Sequence, residues 1–196
     1  MFDYSNAPDQ RSDELIPAGT IATLQLHIRP GNAGEGGLLT RSKDGTCEML
    51  DCEFTVVAGP HTRRKLFERY VLSGTTAGQE EAVKISRGKL RAIIESARGI
   101  KPDDMSEQAR KARTVELRDF DGLRFIARIG IEKGGPRNDG RGENYADRNV
   151  IAQIITPDKK GWAATEQAPP SEAGPSTGTA VTAPTTIQPP AWARAT

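Results

Sequence analysis

Apolar residues recur at the period of an α-helix in one long stretch of the sequence, residues 78–99. Its apolar stripe comprises Ala82, Ile85, Leu90, Ile93, Ile94 and Ala97, and its charged face comprises Glu80, Lys84, Arg87, Arg91, Glu95 and Arg98. The pattern predicts a single amphipathic helix that buries its stripe against a sheet. Gly99 is placed to supply the left-handed residue that ends such a helix.

Shorter stretches alternate apolar and polar residues at the period of a half-buried β-strand. Three of them precede the helix, at 20–29, 47–58 and 63–72, and two follow it, at 123–133 and 150–156. Neither alternation is clean in the third stretch, which indicates a β-bulge there. Three strands, a helix and two strands in this order are the connectivity of the OB barrel. We therefore predict a five-stranded OB-like barrel, mainly β with one long helix, in the α+β class.

Polar segments bound the predicted barrel on both sides. Residues 1–14 have no period that could bury a face, and they are predicted to form an extended arm. The barrel domain is predicted to occupy residues 15–162. From residue 163 to residue 196 nearly every position is Ala, Pro, Thr, Ser, Gly, Glu or Gln. Such a composition buries too little apolar surface to offset the entropy of ordering, so we expect a disordered tail.

The charge balance and the cysteines narrow the class of protein. The chain carries 27 Lys and Arg against 26 Asp and Glu, so any surface for a polyanion must be local. No apolar run could span a bilayer, and the N-terminus lacks the regions of a signal peptide, which predicts a soluble cytoplasmic protein with no membrane partner. Cys47 and Cys52 lie an odd number of residues apart on one predicted strand, on opposite faces. We therefore expect two reduced thiols, with Cys52 in the core.

Motifs of common enzyme classes are absent from the sequence. It has no serine in a nucleophile elbow, no Walker loop and no zinc-ligand spacing, and its two histidines fall on different predicted elements. The glycine-rich stretches lack the lysine and the strand-to-helix context of a phosphate-binding loop. We therefore predict a protein that is not an enzyme and that holds no cofactor and no metal.

Several aspartates lie at predicted turns. Asp103 or Asp104 is placed to cap a short helix at 106–113. Asp119 and Asp121 precede a turn glycine, where aspartates commonly accept hydrogen bonds from their own backbone. The same pair could instead serve as the metal ligands of a nuclease, and the sequence leaves this alternative open.

Basic residues gather in the loops that would flank the groove of an OB barrel. Flexible cations can follow a phosphate backbone, and aromatic side chains can stack bases. The candidate nucleic-acid-binding residues are Arg41, Lys43, Arg63, Arg64, Lys65, Phe67, Arg69, Arg137, Arg141, Tyr145 and Arg148. The alternative is that these are ordinary solubilising charges. Under that interpretation Asp51 lies opposite Arg69, and Thr55 lies opposite Lys65, across an exposed strand pair.

Long segments of the chain also resemble a known family. The segments are LIPAGT at 15–20, EMLDCEFTV at 48–56, ISRGKLRAIIESARGIKPDDMSE at 85–107, DFDGLRFIARIGIEKG at 119–134 and ITPD at 155–158. In this order they resemble a family of small phage and prophage proteins that is catalogued as a domain of unknown function. Genes of that family tend to lie in replication and recombination clusters. The resemblance covers about residues 1–162 and implies an OB-like barrel that binds single-stranded DNA in a bacterial host cell. Unlike typical bacterial single-stranded DNA-binding proteins, this chain ends without an acidic tip.

The sequence is compatible with three functions. The first is a sequence-tolerant, non-catalytic single-stranded DNA-binding protein of phage replication or recombination. The second is a protein-interaction module that recruits a recombinase or another replication protein. Asp51 and Glu53 favour it, because carboxylates on the groove face repel phosphate. The third is a metal-dependent nuclease that uses Asp119, Asp121 or Asp158. The sequence leaves the oligomeric state open.

Overall fold

A computed structural model describes residues 14–136 and 144–162 of the chain. Almost all of the predicted arm, the whole predicted tail at 163–196, Arg137 and Arg141 lie outside these residues. The strands are β1 (Ile21–Ile28), β2 (Thr40–Arg41), β3 (Cys47–Val56), β4 (Lys65–Gly74), β5 (Arg124–Glu132) and β6 (Arg148–Ile155). The helices are α1 (Ala77–Arg98) and α2 (Glu107–Arg113), with short 3-10 turns at Glu35–Gly37 and Leu117–Phe120.

The described chain is mainly β, with one antiparallel sheet, one long helix and one short helix. The strand order is β2-β3-β1-β5-β6. β4 pairs with β3 along the edge opposite to β1. β1 therefore lies between β3 and β5, and all of the ladders are antiparallel. The long helix connects β4 to β5, which confirms the predicted order of three strands, a helix and two strands for the longer strands.

The number of strands differs from the prediction, because the sheet has six strands instead of five. The extra strand, β2, lies in the glycine-rich stretch that follows β1, between the first two predicted strands. Gly31 permits it: a β-carbon there would lie 2.1 Å from the carbonyl oxygen of Leu39. Because glycine has no side chain, the loop folds back on itself, and Thr40 can then pair with Met49 of β3.

The register of β3 and β4 agrees with the prediction. Asp51 pairs with Arg69, and Thr55 pairs with Lys65. The predicted bulge is also present. Glu48 pairs with Ser73 whereas Met49 pairs with Val71, so β4 carries one extra residue, Leu72. Side chains on the two sides of this bulge therefore change face, which explains why neither alternation was clean in the sequence.

The core lies between the inner faces of the strands and α1. Its largest side chains with almost no exposed surface include Tyr70, Phe54, Phe125, Ile16, Leu24, Leu26, Leu66 and Ile93. Phe54 packs edge-to-face on Tyr70 and on Phe125, with ring centroids 6.4 Å and 5.7 Å apart. Both arrangements are favoured geometries for aromatic pairs. Cys52 is buried in the same cluster and, like the half-buried Cys47, is a free thiol, as predicted.

The buried face of α1 departs from the predicted stripe at Ile85. Ile85 is 56% exposed, and the neighbouring Ser86 is buried instead. The Ser86 hydroxyl oxygen accepts a hydrogen bond from the backbone N–H of Val71 at 2.9 Å. The buried serine therefore pairs a polar group beside the bulge in β4, where regular pairing is interrupted.

The far end of α1 is anchored by a buried carboxylate that the sequence placed on the charged face. Glu95 is only 3% exposed, and its Oε1 lies 2.7 Å from Arg91 and 2.8 Å from Arg113 of α2. The pair with Arg113 fastens α2 to α1. The cap of α2 is Ser106 and neither predicted aspartate, because the Ser106 hydroxyl accepts the Ala109 N–H.

Both ends of α1 are capped. Gly99 is left-handed with φ 66°, as predicted. At the start, the Thr76 hydroxyl accepts the Gln79 N–H while the Gln79 side chain accepts the Thr76 N–H, a capping box.

We expect Thr76→Ala to lower the free energy of unfolding by about 1 kcal/mol, because the Gln79 N–H loses its acceptor. Urea denaturation measures this, with Thr76→Ser as the control that keeps the cap. Equal stability of the two variants would contradict the assignment.

Candidate functional site

The edges of β4 and β6 face each other without a backbone ladder in the described part of the chain. A side chain connects them instead. Glu68 of β4 accepts the backbone N–H of Ile151 in β6 at 2.8 Å through Oε1. Its Oε2 lies 3.2 Å from Lys89 Nζ and accepts the Tyr70 hydroxyl at 3.1 Å. We call this junction the seam.

Three adjoining cavities open along the seam, with volumes of about 810, 780 and 420 Å³. The largest is lined by residues that include Arg29, Asp51, Phe67, Arg69, Glu132 and Arg148. The second shares Phe67 and Arg148 and adds Arg63, Arg64, Lys65 and Asp147. The third shares Arg148 and adds Tyr145. We call these cavities together the seam groove.

The seam groove brings together most of the described candidate residues. Two segments of the chain that are distant in sequence supply these residues, which are Arg63, Arg64, Lys65, Phe67, Arg69, Tyr145 and Arg148. Arg41 does not line the groove. It lies on the β2–β3 hairpin, where its guanidinium pairs with Glu48 at 2.7 Å. Lys43 is exposed on the same hairpin and does not line the groove either. The predicted positions Arg137 and Arg141 lie outside the described residues.

Most of the groove cations are held by carboxylates. Arg69 Nε donates to Asp51, Lys65 Nζ lies 2.6 Å from Glu53, and Arg148 lies 2.7 Å from Glu132. On β3 the carboxylates are the less exposed partners: the Asp51 side chain is 17% exposed and that of Arg69 is 57% exposed. The floor of the groove is therefore acidic, and its rim is basic. An incoming phosphate group has to compete with these carboxylates for the rim cations.

Arg29 and Arg63 line the groove without a carboxylate partner among the described residues. The Arg29 guanidinium lies over the Phe67 ring, 5.5 Å from its centroid, and the ring is 48% exposed. This is a cation–π arrangement. Arg63 is exposed and adopts a left-handed conformation with φ 71°, which ends the turn after β3. Arg64 donates to the backbone carbonyl of Glu14.

Sequence reasoning missed Arg29 as a site residue. Arg29 is the last residue of the first predicted strand, at 20–29, and no pairing partner or loop cluster marks it in the sequence. The available signal was its position. Arg29 lies two residues after the outward-facing His27, so it continues the exposed face of β1 toward the glycine-rich loop.

The groove provides no activated nucleophile among its described residues. Burial raises the pKa of the Cys52 thiol to about 12, with the charges of Asp51, Glu68 and Asp121 acting in the same direction. At neutral pH Cys52 therefore stays protonated and unreactive. Hydrogen bonds from Lys133 and from the Gly134 N–H hold the pKa of Asp147 below its usual value, so this groove residue is a carboxylate.

The turn aspartates are occupied by hydrogen bonds. Asp119 accepts the Glu116 N–H at 2.8 Å, which agrees with a role in its own turn. Asp121 accepts the N–H of Ile28 in β1 at 2.7 Å and lies 2.9 Å from His27 Nδ1, so it ties its turn to a neighbouring strand. No group of three or more His, Cys, Asp or Glu residues that could hold a metal ion is found within residues 14–136 and 144–162.

Comparisons with protein-family models, with curated proteins and with solved structures gave no match. The resemblance to phage and prophage proteins therefore stays a prediction. Within the described residues, no helix is both long enough and apolar enough to cross a membrane.

Proposed function

We propose that the chain binds single-stranded DNA along the seam groove, without catalysis. The observation that carries the proposal is the half-exposed Phe67 ring, which has Arg29 over it and lies between cavities rimmed by Arg63, Lys65 and Arg148. A single strand offers both bases that can stack on an aromatic ring and phosphates that pair with flexible cations. The groove spans three cavities and therefore suits a ligand that continues past any one pocket.

The connectivity of the sheet supports this proposal. β1 pairs with β3 and β5, α1 links β4 to β5, and the seam lies between β4 and β6. We propose that this arrangement is an OB-like barrel whose last closure is the Glu68 side chain instead of a backbone ladder. In an OB barrel, oligonucleotides bind on the face of the second and third strands, beside the loops after strands one and four. These correspond to β3, β4 and the segments that carry Arg29 and Tyr145.

The test is fluorescence anisotropy of a labelled oligo-dT with the full chain at rising salt. Affinity is expected to fall with a log–log slope of about −0.7 for each phosphate contacted. Double-stranded DNA of the same length serves as the comparison and is expected to bind more weakly, because its bases are not available for stacking. Failure to bind oligo-dT at low salt would refute the proposed function.

The cations without carboxylate partners are expected to contribute most to binding. Replacing both Arg29 and Arg63 by Gln should lower the affinity for oligo-dT roughly tenfold and flatten the salt slope by about 1.4, because two phosphate contacts are lost. The control replaces Arg110 and Lys111 of α2 by Gln, which removes the same charge away from the groove. An equal loss in both double variants would show that only net charge matters and would contradict the groove assignment.

A protein partner, such as a phage recombinase or replication protein, is the second candidate. Asp51 in the groove and Glu53 beside it on β3 favour it, because these carboxylates pair with Arg69 and Lys65 and screen them from phosphate. The two candidates differ in their dependence on DNA. A direct protein partner stays bound to the tagged chain after nuclease treatment, whereas a partner bridged by DNA is released.

A further inference from the structure

One carboxylate of β3, that of Glu53, lies on the strand position opposite Phe67, whose ring lines the groove. The registers of β1, β3 and β4 place His27, Glu53 and Phe67 side by side in one row of the outer face. Directly opposed residues in antiparallel strands have β-carbons about 4.5–5.5 Å apart. The Glu53 carboxylate can therefore reach the edge of a flat group that stacks on Phe67.

The Glu53 carboxylate is oriented and partly available. Its side chain is 19% exposed, and Lys65 Nζ lies 2.6 Å from Oε1. Within the described part of the chain no hydrogen bond or ion pair engages Oε2. On the other side of the row, His27 is held by Asp121 at 2.9 Å and does not neutralise Glu53 directly. Glu53 thus offers an acceptor in a fixed position next to a stacking surface.

The chemistry of a carboxylate distinguishes the bases. An ionised carboxylate only accepts hydrogen bonds, and its established base partner is the amino group of cytosine. Thymine carries a carbonyl oxygen at the corresponding position, which a carboxylate repels, and its one donor on this edge is the ring N3–H between two carbonyl oxygens. Adenine carries an amino group and falls with cytosine in this respect.

We infer that Glu53 is a specificity-determining residue that makes the seam groove prefer single strands whose bases carry amino groups. This inference rests on the proposed function, because it assumes that a base stacks on Phe67. It goes beyond that function by predicting a base preference and the residue that sets it. Arg29 contributes stacking and charge to every base alike, so the preference depends on the carboxylate.

The experiment compares oligo-dC with oligo-dT of equal length and labelling, at matched salt and at a mildly alkaline pH where cytosine is unprotonated. Both are pyrimidine strands of the same charge, so the ratio of their dissociation constants isolates the base contact. We expect the full chain to bind oligo-dC about fivefold more tightly than oligo-dT. Glu53→Gln should reduce the ratio to below about twofold, since an amide can present a donor to the thymine carbonyl.

Glu48→Gln is the matched control. Glu48 is also on β3 and also pairs with a basic residue, Arg41, but it lies opposite Ser73 instead of Phe67. Either substitution removes one negative charge and is expected to strengthen binding of both strands equally, an effect that cancels in the ratio. The ratio should therefore stay near its original value in Glu48→Gln.

The outcomes separate the two proposals. If neither strand binds at low salt, the proposed function is refuted and the base preference with it. If both strands bind equally well, or if Glu53→Gln leaves the ratio unchanged, the inference about Glu53 is overturned while DNA binding stands. A ratio that falls in Glu53→Gln and persists in Glu48→Gln supports the assignment.

Discussion

Replacing Ile93 by Asp is expected to unfold the domain. Ile93 is fully buried on α1, in the cluster that joins this helix to the sheet. An aspartate there either stays ionised without a partner or takes up a proton, and it also loses the packing of the isoleucine. An uncompensated buried charge costs about 3–5 kcal/mol, which is comparable with the whole stability of a typical domain, about 5–15 kcal/mol.

Ile85→Asp is the matched control for this experiment. It makes the same substitution in the same helix, but Ile85 is 56% exposed. We expect circular dichroism melting curves to show a cooperative transition for Ile85→Asp close to that of the unsubstituted chain and none for Ile93→Asp. If both variants melt alike, the placement of α1 on the sheet is wrong.

The same two isoleucines show how far the sequence could predict the fold. Helical periodicity assigned both of them to the buried stripe, and it identified the helix, its glycine stop and its position between the third and fourth long strands. Periodicity could not predict that Ser86 would replace Ile85 on the inner face. That exchange depends on a tertiary contact, because the Ser86 hydroxyl accepts the Val71 N–H of β4.

The charged residues of the site show a similar limit. The cross-strand pair of Asp51 and Arg69 could be predicted, because two strands joined by a short turn fix their own register. The position of Arg29 over Phe67 could not be predicted in this way. Arg29 follows β1, Phe67 lies on β4, and these two strands are not paired with each other because β3 lies between them. Local patterns therefore predicted which residues are exposed, and only the assembled sheet shows which of them lie together.

Glu68 was read from the sequence as one residue of an irregular alternation, yet it is the residue that joins β4 to β6. Its side chain is 11% exposed, and it accepts bonds from the Ile151 N–H, the Tyr70 hydroxyl and Lys89. The hydroxyl of Tyr70 is buried beside this carboxylate, and burial with the Glu68 charge raises the tyrosine pKa, so the phenol stays a donor at all ordinary pH values. A single acceptor thus serves three donors from three elements.

We expect Glu68→Leu to lower the free energy of unfolding by about 2–4 kcal/mol, because it leaves the Ile151 N–H and the Tyr70 hydroxyl without their acceptor. Glu68→Gln keeps a carbonyl oxygen for one of these donors and should cost less. Urea denaturation gives the global effect. Hydrogen exchange of the Ile151 amide reports on the seam itself, and this amide should exchange faster in the leucine variant.

Glu132→Leu is the control. It removes an exposed partner of Arg148 at the same groove and should change stability by less than about 0.5 kcal/mol. Equal stabilities of Glu68→Leu and Glu132→Leu would mean that the seam is held by packing alone, since only the first substitution leaves buried donors without an acceptor.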